Sequence, residues 1–246
     1  MNNTELTLSL LVIAFVFTLI GALLTRREGL TLRVIPAYVV LPESASDAVE
    51  SDNRIHFSMG SSGLGQASTI SALAAAEIMY RLVQRLAVSP RSPLITLSDP
   101  LTLPLAQDTL RRAYEYRQNL DYYHSRAAAW LPQGSRSLAF AAGAASLSAD
   151  IDANSHVLLG RFGIEMAIIG ESATRHDQAL IGHSDLPEGQ AIAFAQANQV
   201  LFGEELYVGP AYLGGRPLEW GGVIALDVMR WLIILGILLT ALQAAV

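Results

Sequence analysis

Between a short apolar run and an alanine-rich one, residues 59–65 read MGSSGLG. Gly60, Ser61, Ser62, Gly63 and Gly65 stand where a strand would end and a helix begin. Free backbone N–H groups and the helix dipole attract anions at such a place. The loop is therefore a candidate cradle for a nucleotide or another phosphate-containing ligand. Its spacing departs from the dinucleotide pattern, reading G-x-x-G-x-G where G-x-G-x-x-G is expected. The acidic residue that would hold a ribose belongs about twenty positions on. Asp99 closes the next strand but lies 34 residues after Gly65. The competing reading is a turn, in which glycine supplies positive φ and Ser68 or Thr69 caps the helix. These spacings favour the turn over the cradle.

The other groups capable of chemistry are few. His183 and Asp185 follow a later apolar run, with Ser184 between them, and with Glu165, Glu204 and Glu205 they could line a cleft. Ser61 or Ser62 could serve as a nucleophile with His183 as base, but no G-x-S-x-G elbow is present. His56, His124, His156, His176 and His183 have no metal-ligand spacing, so no metal is expected. There is no lysine, which excludes a Schiff base and a P-loop, and no cysteine, which excludes thiolate and disulfide chemistry. With no complete catalytic constellation, a binding or assembly role outranks an enzymatic one.

These residues need a framework, and composition supplies the first part of it. The 246 residues are 52% hydrophobic and 15% charged, with a net charge of −6. A charged fraction below the usual ~25% points to a membrane protein, and the negative balance speaks against nucleic acid as a partner. Residues 6–24 carry no charge and match the length of a membrane span. The residues before them lack the basic side chain of a secretory signal, so the span is expected to be retained. A second uncharged run covers 231–246, extended by the apolar residues before it. Gly21 and Gly236 could let the two spans pack closely, although neither lies in a GxxxG pattern. Arg26, Arg27 and Arg33 follow the first span, and Arg216 and Arg230 precede the end of the second. The positive-inside rule then places the middle of the chain in the cytoplasm and both termini outside.

The expected organisation is an anchor at 1–29, an extended arm and acidic linker at 30–53, an α/β domain at 54–216 and a second span at 217–246. Within the domain, short apolar runs at 54–59, 93–99, 137–143, 156–160 and 178–185 alternate with helical patterns at 68–87, 103–120, 162–176 and 187–206, the run at 137–143 reading equally as helix. Continuous apolar strands alternating with helices predict a mainly parallel sheet covered on both faces, a Rossmann-like three-layer domain.

The segments RIHFSMGSSGLG, LSDPLTLPLAQDTLRRAY, VLLGRFGIEMAII and GEELYVGPAYLGG, followed by the terminal apolar helix, resemble an uncharacterised family of bacterial, Chloroflexota-like membrane proteins of unknown function. The resemblance implies the architecture and no activity. The leading expectation is a membrane-anchored, non-enzymatic scaffold. Its α/β domain would self-associate as a homo-oligomer or dock on other membrane proteins, because its helices carry few charges. The alternative is a nucleotide or anion sensor that uses residues 60–65.

Overall fold

The computed structural model describes residues 3–27, 33–134, 137–151 and 153–245. Along the chain come α1 (Asn3–Arg27), α2 (Pro36–Glu50), β1 (Arg54–Gly60), α3 (Thr69–Leu86), β2 (Leu94–Leu97), α4 (Thr102–Tyr116) and β3 (Ala128–Trp130). Then follow α5 (Leu138–Asp150), β4 (Ala153–Arg161), α6 (Glu165–Arg175), β5 (Ala179–Ser184), α7 (Pro187–Gln196), β6 (Gln199–Val200), α8 (Gly209–Gly214) and α9 (Pro217–Ala245). They form two units, Met1–Arg33 with Pro210–Val246, and Val34–Gly209.

In the first unit, Thr7–Leu24 of α1 has a mean hydropathy of 2.6 and Pro217–Leu242 of α9 one of 2.2, with 6% of each stretch buried. Both helices are long and apolar enough to cross a membrane. They pack on each other. The contact is close because it is made at glycines: a Cβ on Gly21 would lie 3.0 Å from the Cα of Gly221. Gly236 was expected to offer a similar approach, but nothing lies within 4 Å of its Cβ position.

The second unit is a six-stranded sheet in the order β3-β2-β1-β4-β5-β6, parallel throughout. Helices α2, α3 and α4 pack side by side, as do α5, α6 and α7. The central strands β1 and β4 are almost wholly buried, which is why they read as continuous apolar runs. This is the Rossmann-like arrangement that the alternation predicted.

Three local expectations are corrected. The stretch taken as an extended arm and linker contains α2. Pro36 opens this helix at its first turn, where a missing N–H costs nothing, and Tyr38, Leu41, Ala45 and Ala48 bury one face. That face outweighs Pro42 within the helix. Residues 30–32 of the same expected arm, like 28 and 29 of the expected anchor, lie outside the described residues. The strand expected at 137–143 is instead the start of α5, consistent with alanine's high helix propensity. Its Phe140, Ala141 and Ala144 pack with Phe162, Met166, Ile169, Leu180 and Ala193. The third strand is Ala128–Trp130, which pairs with β2 through Ile95↔Ala128 and Leu97↔Trp130. Finally, the helix expected over 187–206 ends at Gln196, and the two residues of β6 then pair with β5.

A buried polar chain crosses the sheet. His56 and His156 are register partners. Their Nδ1 atoms lie 2.9 Å apart, with Thr96 Oγ1 2.8 Å from His56 Nε2 and Gln178 Oε1 2.7 Å from His156 Nε2. His156 Nε2 donates to the Gln178 side-chain carbonyl oxygen, and the Thr96 hydroxyl beside His56 is itself hydrogen-bonded to Ser58 Oγ at 2.9 Å. Burial, followed by the opposing His156, holds the His56 pKa well below its usual 6.5. Burial also lowers that of His156, with the Gln178 hydrogen bond opposing and His176 assisting. The unfolded chain therefore takes up protons at a higher pH than the fold does. Stability should be intact above pH 6.5 and fall below it, ahead of carboxylate titration near about 4. Melting temperatures measured across this window test the expectation, and a flat profile would contradict it.

Candidate functional site

With β1 and β4 adjacent at the centre of the sheet, connections leave toward opposite edges. Folds of this order take ligands in the crevice over the carboxyl ends of these two strands. The glycine loop after β1 and residues 160–163 after β4 meet here.

They are joined to each other. The N–H and Oγ of Ser61 donate to the carbonyl of Arg161 at 2.8 and 2.9 Å. The Arg161 N–H donates to Ser62 Oγ at 2.8 Å, and Ser62 is fully buried. Gly60 has φ +58, and a Cβ there would strike the Arg161 carbonyl and lie 2.9 Å from the Phe162 ring. A Cβ on Gly160 would strike Ser62 Oγ. The loop's amides are also engaged. Gly60 donates to Ser58 Oγ, Ser62 to the Met59 carbonyl, Gly63 to Ser68 Oγ and Gln66 to Thr69 Oγ1. Ser68 and Thr69, expected to cap the following helix, instead bond back into the loop, and the N-cap of α3 has no side-chain hydrogen bond. Gly65, at φ +77, faces open space.

Asp99 sits beside this loop. Its carboxylate accepts the Leu101 N–H at 2.8 Å and the Gln66 amide at 3.0 Å, so it organises the turn before α4. His183 and Asp185 lie at the end of β5. His183 is 1% exposed, and its Nδ1 lies 3.0 Å from the Leu201 carbonyl. A carbonyl only accepts, so the proton is on Nδ1. Nε2 lies 3.5 Å from Asp185 Oδ1 and has no hydrogen-bond partner. Burial pushes the Asp185 pKa up. The neighbouring His183, Ser71 and Arg161 side chains outweigh that and hold it below the usual carboxylate range. Burial, and then Asp185, raises the Tyr207 hydroxyl.

The structure therefore gathers Gly60, Ser61 and Ser62 at the crevice, Gly63 with Asp99 beside it, and His183 with Asp185 at the next strand end. The Ser–His pairing does not form. Both serine hydroxyls are spent on the Arg161 backbone, and His183 turns its Nε2 toward Asp185. Glu205 instead accepts the Phe202 N–H at 2.9 Å and caps a short turn. Glu165 is buried in the first turn of α6. Among the described residues no three His, Asp or Glu side chains are placed to share a metal ion. Arg161, Ser71 and Tyr207 were not singled out from sequence. Arg161 was hidden because its backbone, not its side chain, makes the decisive bonds.

Residues 1–246 match one family across their whole length, a domain of unknown function, DUF6754. The chain belongs to that family. Comparison with curated proteins and with solved structures gives no match. DUF6754 membership agrees with the resemblance in pointing to a family of unknown function, and the chemistry has to be argued from the geometry above.

Proposed function

We propose that the chain is a non-enzymatic assembly protein of a bacterial cytoplasmic membrane. In this reading α1 and α9 span the bilayer, both termini lie outside, and the α/β unit is cytoplasmic and pairs with further copies of itself. The observation that carries the reading is the closed crevice: at the place where such sheets take ligands, Ser61 and Ser62 are hydrogen-bonded to Arg161. The same bonds weigh against the nucleotide-sensor alternative, because the amides of Gly60, Ser61, Ser62, Gly63 and Gln66 already donate within the protein.

The outward face of α3 suits contact with a second copy. Ile70 and Leu73 are 68% and 51% exposed near its start. Farther along, Glu77 and Arg81 neutralise each other at 3.0 Å. Apolar side chains grouped this way are candidates for protein contact. Native mass spectrometry of the full-length protein in mild detergent should give a discrete multiple of 26.4 kDa. Ile70→Glu combined with Leu73→Glu should return it to a monomer with an unchanged melting temperature. A wild-type monomer would remove the proposal. For orientation, a reporter active only outside the cytoplasm should be active when fused after Val246, and a silent fusion would reverse the topology.

A further inference from the structure

A cavity of about 330 Å³ opens at the rim opposite the glycine loop, where β1 and β2 begin. Arg54, His124 and Arg126 line it together with Pro93, Leu94 and Ile151. The volume falls in the range of small-molecule sites, about 300–1,000 Å³, and the mix of apolar wall with a few convergent polar groups is typical of them. Arg54 is the first residue of the central strand β1, so the sheet fixes its backbone. His124 and Arg126 come from the segment that leads into β3.

The two guanidinium groups are not committed elsewhere. The Nε of Arg54 is buried and has no hydrogen-bond partner. Among the described residues neither arginine forms an ion pair and no carboxylate lines the cavity. The nearest acid in sequence, Asp52, is held by Arg91 at 2.7 Å. Cations at this rim could in principle serve the negative end of α3. That duty is already filled, because Asn119 Nδ2 donates to the Ala87 carbonyl at 2.8 Å and Arg117 Nε to that of Gln84 at 2.7 Å. Three donor side chains, an unanswered buried guanidinium N–H and an apolar wall are complementary to an anionic head on an apolar body. Guanidinium groups favour carboxylate and phosphate because their fork matches two oxygens.

We propose that this cavity binds a small organic anion, a carboxylate or phosphate monoester on an apolar body, held by Arg54, His124 and Arg126. The site is independent of the assembly reading. Calorimetric titration of the full-length protein in neutral detergent tests it, with phenyl phosphate, benzoate and uncharged benzyl alcohol as probes. At least one anion should bind, at least tenfold more tightly than benzyl alcohol, and the stronger anion identifies the head group. Arg126→Gln, at an exposed position, should fold normally and weaken that anion about tenfold or more. Arg54→Gln should do the same, while Arg175→Gln, a surface change on α6, should leave affinity unaltered. Absence of binding by both anions at millimolar concentration overturns the proposal. So does equal binding of the alcohol, or unchanged affinity in Arg126→Gln.

Discussion

Gly60→Ala is expected to destabilise the protein by about 3 kcal/mol, lowering its melting temperature by roughly 6–12 °C. Two costs combine. The residue sits at φ +58, where a side chain is strained by about 1–2 kcal/mol. The added methyl would also strike the Arg161 carbonyl, which cannot retreat without breaking its bonds to Ser61. Gly65→Ala separates the two costs. That residue has φ +77 but nothing within 4 Å of its Cβ position, so only the backbone strain of about 1 kcal/mol applies. Thermal unfolding of both full-length variants gives the comparison. Equal losses would mean that the β1 and β4 loops are not held together as described.

The elements legible in sequence were those whose burial left a pattern. β1, β2, β4 and β5 are short apolar runs, and of the apolar residues that marked α3, Ile78, Leu82 and Leu86 are buried while Ile70 and Leu73 face outward. The failures have a common physical cause, which is that local composition was outvoted or uninformative. Ala128–Trp130 contributes three residues whose only strand signal is their pairing with β2. The prolines of α2 suggested an arm, yet a buried face spaced three and four residues apart made a helix. The candidate site was legible as a location, since each strand exit is rich in small residues. Its chemistry was not legible, because a phosphate cradle and a loop-to-loop joint use the same glycines and serines. What distinguishes them is whether the amides face outward. That is decided by the carbonyl of Arg161 and the hydroxyls of Ser68 and Thr69, which come from elsewhere in the fold or the next turn of chain.

The helix pair follows the same logic, and it carries the second large effect. Gly21 was recognisable as a small residue within a span, but its partner Gly221 sits in no repeated motif and is found only from the crossing of α1 and α9. A Cβ on Gly221 would strike the Thr18 carbonyl and lie 2.8 Å from the Ala22 nitrogen. Both obstacles are backbone, so no rotamer change relieves them. In the proposed membrane arrangement no hydrophobic drive acts between the two helices, so their association depends on this close approach. Gly221→Val should therefore force the helices apart and cost about 3 kcal/mol, at the upper end of overpacking penalties. Gly236→Val adds the same side chain to the same helix where nothing lies within 4 Å, and should be close to neutral. Trp220 adjoins the mutated position and its ring centroid is 5.5 Å from that of Tyr212, so its fluorescence can follow the packing. Reversible unfolding of both variants in mixed detergent micelles should show a large loss for Gly221→Val alone. Equal behaviour of the two would mean that the spans do not meet at Gly21 and Gly221.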